Sequence, residues 1–195
     1  MTTAVAERLD VDEFLAMPGN EDFELIDGLL KERGMGLNAV WTAGQIFAEL
    51  SRFNATTRGG LVFPDGASLA IFPDRPRYAP RPDGLYVSQG RFRSQSMAQG
   101  ALTVPPELLV EVVSTHDIAG EVEGKVRAYL GAGVDTVWVA YPEQRTIHVY
   151  RRAGPTEVLT DGDTLLGDGP LSGFAVGVTA LFPEPEPARE PAAES

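Results

Sequence analysis

Residues 107–151 constrain the fold of this chain more than any other stretch. "ELLVEVVS" (107–114) is an apolar run of strand length, and "DIAGEVEGKVRAYLGAG" (117–133) repeats apolar residues at helical spacing before Gly131 and Gly133 close it. "DTVWVAY" (135–141) is a second apolar run, and "TIHVYR" follows it after the turn "PEQR". Period two marks a strand and period 3.6 a helix, so the segment reads strand, helix, strand, strand. A helix of that length between two apolar strands predicts a right-handed crossover with those strands parallel, and the short turn makes the third strand antiparallel. The expected fold class is therefore α/β, a mixed sheet with helices packed on it.

The flanks add elements to this centre. Asp10 stands as an N-cap with Glu13 three residues on, which predicts a short helix ended by Pro18 and Gly19. "FELIDGLLKE" reads as two strands around a turn at Asp27-Gly28. "NAVWTAGQIFAELSRF" is a helix with Val40, Ile46, Phe47, Leu50 and Phe53 on its apolar face. "GLVFPDGASLAIF" reads as a second hairpin, and "DGLYVS" as a short strand. "GMGLNA" resembles a dinucleotide-binding turn, but no acidic residue ends a second strand about 20 positions on, so it reads as a loop before the helix. One domain is expected over residues 1–182, followed by a disordered, Pro/Glu-rich acidic tail at 183–195.

Composition narrows the function classes. There is no cysteine, which removes disulfides, thiolate metal sites and cysteine nucleophiles. No export signal or membrane span is legible, so a cytoplasmic protein without a membrane is expected. The net charge of -12 opposes non-specific binding to nucleic acid, because phosphate neutralisation supplies most of that affinity. Residues 75–93 run against this trend, with five Arg against one Asp and with Tyr78, Tyr86 and Phe92 interleaved. That stretch reads equally as a solvated loop or as a phosphate-contacting surface.

Glu111 raises the chemical question. It sits among Leu108, Leu109, Val110, Val112 and Val113, where an ionised carboxylate needs a cation, a metal or several donors. Lys125 falls at the edge of the stripe Val122, Val126, Tyr129 and Leu130 on the next helix, from which an ammonium can reach back toward the strand. Asp83 opens a short strand 28 residues before Glu111. Two carboxylates on neighbouring strands with a lysine nearby form a hard-cation site suited to magnesium or manganese.

"ELIDG", "RPD", "PPELLVEVVS", "AGEVEGKVRAYLGAGVDTVWVAYPEQRTIHVYR" and "LSGFAVGVTALF" together resemble the Uma family of putative restriction endonucleases, within the PD-(D/E)XK nuclease superfamily. The resemblance runs from about Val11 to Phe182. It implies a restriction-endonuclease-like core and magnesium- or manganese-dependent hydrolysis of phosphodiester bonds. Asp83 resembles the superfamily's PD aspartate, and Glu111 the acid of its second half-motif. Val113 occupies the usual lysine position, and Lys125 looks like the replacement carried on the following helix. Glu24 resembles a further acidic residue of the site, giving Asp83, Glu111 and Glu24 as metal ligands and these three with Lys125 as the catalytic set. Asn38 stands where relatives often have a histidine. Arg81 and Arg77 become candidate nucleic-acid contacts, DNA the expected partner, and a homodimer the expected assembly for cutting both strands. The alternative is a catalytically inactive nuclease fold that serves as an interaction or regulatory module.

Overall fold

In this computed structural model residues 8–184 are described, apart from 99 and 116. The N-terminal part forms a flank against the main body. Helix α1 (Val11–Ala16) starts at Asp10, whose carboxylate accepts from Glu13 N at 2.9 Å while Glu13 Oε2 accepts from Asp10 N at 2.8 Å. This is the reciprocal capping that the sequence predicts. Strands β1 (Phe23–Ile26) and β2 (Leu29–Glu32) pair antiparallel through Asp27 and Gly28, at φ 50° and 86°. Two consecutive positive φ values define the tight hairpin turn for which Asp-Gly is suited. Leu25 and Ala79 form a bridge and are fully buried with Phe14, which ties the hairpin to the rest of the chain.

Helix α2 (Leu37–Thr57) leads into β3 (Gly60–Pro64), β4 (Gly84–Ser88), the short α3 (Gln89–Phe92) and β5 (Leu108–Val112). Helix α4 (Ala119–Gly131) then connects to β6 (Thr136–Tyr141), β7 (Thr146–Arg151) and β8 (Glu157–Leu159). The six strands form one sheet in the order β3-β4-β5-β6-β7-β8. β5 and β6 are parallel and β6 and β7 antiparallel, as the apolar centre of the sequence predicts. Strands β9 (Thr164–Leu166) and β10 (Ala175–Gly177) make a separate pair.

Each face of the sheet carries its own core. On one, Ala39, Ile46 and Leu50 of α2 meet Tyr86, Leu108, Val110, Trp138 and Ile147, with Phe174, Val178 and Leu181 closing the layer. On the other, Val122, Val126 and Tyr129 of α4 meet Leu85, Leu109, Val137 and Val139. β5 is buried along its whole length for this reason. Each such Leu or Val contributes roughly 1.5–3 kcal/mol relative to exposure.

Two expectations are corrected. "GLVFPDGASLAIF" does not fold back on itself: β3 pairs with β4, twenty residues on, and Leu69 bridges Leu102 instead. Pro73, Pro76, Pro80 and Pro82 remove ladder donors from the intervening chain, so it crosses the body without forming a strand. In α2, Val40 is half exposed with Trp41 beside it, while Ala39 and Thr42 turn inward with Ile46 and Leu50. The tail expected to be disordered lies, from residue 185 on, outside the described residues.

Candidate active site

The β4–β5 register decides the site. Gly84 faces Val110 in this antiparallel pair, so one more residue of the same register sets Asp83 opposite Glu111, and Asp83 N donates to Val110 O at 2.9 Å. Alternation sends Leu85 and Leu109 to the α4 side, and the two acids go with them. Asp83 Oδ2 accepts from Val112 N at 2.6 Å. Glu111 Oε1 accepts from the Tyr129 hydroxyl at 2.6 Å, and its Oε2 accepts from Lys125 Nζ at 3.2 Å. Lys125 and Tyr129 lie one helical turn apart on α4 and so present both groups to one strand. The same ammonium donates to Glu24 Oε1 at 2.7 Å, an oxygen that also accepts from Arg81 N at 2.9 Å. Asp83, Glu111, Glu24 and Lys125 thus converge at the floor of a cleft of about 450 Å³ between the β1–β2 hairpin, the β5 end and α4.

Electrostatics in this cluster are tense. Burial pushes Asp83 well above the usual carboxylate range, and the Glu111 charge pushes it further, against Val112 N, Lys125 and Arg33. Burial also raises Glu111; Lys125 opposes, Glu24 adds to the rise, and the Tyr129 hydrogen bond opposes. Burial alone would lower Lys125, but Glu111 and Glu24 hold it above its ordinary value and charged. Burial and the neighbouring Glu111 push Tyr129 well up, so it stays a neutral donor. Glu24 and Glu111 therefore share the Lys125 ammonium, while Asp83 has the Arg33 guanidinium at 3.5 Å.

A family model described as "Putative restriction endonuclease", Uma2, matches residues 11–179. The chain belongs to the Uma2 family. A crystal structure from Anabaena variabilis, of "a putative nuclease belonging to DUF820", is similar to this Uma2 member at a TM-score of 0.74 and 18% identity. The match covers 89% of this chain and 97% of that one, and it shows that the two share a fold. No curated protein matches the chain.

The sequence reading missed two partners in this Uma2 site, Arg33 and Tyr129. Arg33 reaches Asp83 Oδ1 at 3.5 Å and forms an ion pair with Asp65. Glu24 faces Lys31 across the hairpin, so alternation along β2 puts Arg33 on the same side, a signal legible in "LLKER". Tyr129 reads in sequence as part of the apolar stripe, and only its contact with Glu111 reveals the hydroxyl's part. Of the expected nucleic-acid contacts, Arg81 lines the cleft, but its guanidinium donates to Asn20 Oδ1 and, at 3.3 Å, to Glu21 O. Arg77 is exposed beside the hairpin turn, where its carbonyl accepts from Gly28 N at 2.8 Å, and it does not line the cleft. Asn38 donates to Glu143 Oε1 at 3.1 Å.

The donor set fits a divalent ion in a particular way. Among the described residues no three His, Asp or Glu side chains form a metal-holding group. Asp83 and Glu111 adjoin across β4 and β5 as a hard-oxygen pair, and Glu24, whose Oε1 accepts from Lys125 and Arg81 N, stands beside them. Magnesium keeps several waters and commonly takes one or two protein carboxylates, so a pair suffices. Burial raises both carboxylates and the Glu111 charge raises Asp83 further, a strain that a cation relieves.

Proposed function

We propose that this Uma2 member is a divalent-metal-dependent nuclease of the PD-(D/E)XK type, hydrolysing phosphodiester bonds in DNA and acting as a homodimer, with residues 1–182 as a single domain. The observation that carries this reading is the buried Asp83–Glu111 pair beside Lys125, at the floor of an open cleft in a chain of a nuclease family. A divalent ion held by Asp83 and Glu111 supplies Lewis-acid stabilisation of charge on the phosphoryl oxygens. Glu24 contributes as a further ligand, directly or through water, by the oxygen that Lys125 and Arg81 N do not occupy. Lys125 orients the attacking water and offsets charge on the pentacoordinate phosphorus, standing in for the lysine that Val113 replaces. Tyr129 fixes the Glu111 carboxylate through Oε1, with Lys125 on Oε2. A catalytically silent interaction module is the second reading, favoured by the way Lys125 already satisfies Glu24 and Glu111.

Manganese calorimetry and nicking of supercoiled plasmid, on wild type and on Glu111→Gln, decide between them. Binding and nicking that the substitution removes support the nuclease. A wild type that neither binds manganese nor nicks in its presence would leave the interaction module.

A further inference from the structure

Four cations line the cleft, and three have defined anchors. Lys125 is held by two buried carboxylates, Arg81 by Asn20 and Glu21, and Lys31 by Glu121 at 2.5 Å across the gap to α4. Arg33 differs. Its side chain is 15% exposed and lines the cleft, yet its main partner Asp65 stands on the solvent-facing turn after β3, 43% exposed. Its second contact, to Asp83, is long at 3.5 Å. Asp65 is open to solvent on its side of the pair, so an incoming anion can compete with it for the largely buried guanidinium. The guanidinium fork matches phosphate oxygens in pairs, which an ammonium cannot do.

We propose that Arg33 builds a phosphate-binding subsite next to Asp83, with Asp65 as the resting counter-ion that a phosphodiester oxygen displaces. This deepens, and rests on, the nuclease reading of the same cleft. A chain of net charge -12 needs a local cation to admit a phosphate at this place, and Arg33 is the cleft cation nearest Asp83 with an exposed partner to exchange. Once the Asp83 charge is taken up by a metal, the attraction that draws Arg33 inward weakens and the fork is released to the substrate.

The test is fluorescence anisotropy of a short labelled DNA duplex, in calcium and over a salt series, on wild type, Arg33→Gln, Arg33→Lys and Asp65→Asn. Arg33→Gln is expected to lower affinity about tenfold and to reduce the slope of log affinity against log salt by about one, with Arg33→Lys recovering the slope but only part of the affinity. Asp65→Asn is expected to raise duplex affinity, a result that a merely structural ion pair would not give. Manganese affinity, read separately by calorimetry, is expected to be retained in Arg33→Gln. Unchanged duplex affinity and salt slope in a folded Arg33→Gln, no duplex binding by wild type, or an Asp65→Asn protein as weak as Arg33→Gln would each overturn the subsite. If Arg33→Gln does not fold, Arg33→Lys and Asp65→Asn carry the same comparison. Failure of the nuclease reading appears elsewhere, as a wild type that binds no manganese.

Discussion

Lys125 is the residue on which the cleft depends. Its side chain is only 16% exposed and spans Glu24 and Glu111, so its removal leaves buried carboxylates without their cation. Lys125→Gln is expected to lower the unfolding free energy at neutral pH by roughly 3–5 kcal/mol, read by urea denaturation, and Lys125→Arg by less. Tyr78 gives a second test at this scale. It is buried, with the Arg75 guanidinium 3.5 Å from its ring centroid. Burial pushes its phenol up to about 12, against Arg75 and Lys125. An unfolded tyrosine ionises near pH 10, so the contribution of Tyr78 is fully present below about pH 10 and is lost as pH rises toward the folded value. Tyr78→Phe removes that loss and is expected to move the alkaline unfolding midpoint upward, measured by circular dichroism. Residue types together with strand and helix spacing made Asp83, Glu111 and Lys125 legible as a group. Arg33 and Tyr129 were not, because a basic residue after a strand and an aromatic in an apolar stripe each have a commoner explanation.

Among the elements, those with a strong local period were readable. β5, α4, β6 and β7 stand where the apolar runs put them, and the Asp10 capping box and Asp27-Gly28 turn formed as their residue chemistry requires. Asp10→Ala is expected to cost about 1 kcal/mol, measured by thermal unfolding. The partner of β3 could not be read, because pairing over a proline-rich excursion has no local period. Its position rests partly on Gly60. A Cβ there would lie 2.4 Å from the Val87 carbonyl oxygen and 2.7 Å from Cζ of Tyr86, both part of the core pairing. Gly60→Ala is therefore expected to destabilise the protein by about 1–3 kcal/mol and to speed amide exchange in β3 first, seen by hydrogen-exchange mass spectrometry.

For the whole molecule, charge is set against the proposed substrate. The basic stretch 75–93 does not gather into one surface: Arg75 pairs with Asp27, and Arg91 with Glu107 and Asp135. With the net charge at -12, duplex retention in chelator at near-physiological salt is expected to be undetectable and to appear on adding calcium, as a gel-shift series would show. Among the described residues no helix is long and apolar enough to cross a membrane. The sequence by itself determined the mixed sheet with its helices, the acid within β5 and the lysine on the following helix, because period, turn chemistry and the cost of a buried charge act within a few residues. The tertiary structure alone decided that Lys125 meets Glu24, 101 residues away, and that Arg33 stands between Asp65 and Asp83, 50 residues from the latter. Such contacts follow from how the hairpin docks and how the strands register, and both are set by burial of the whole core on two faces of one sheet.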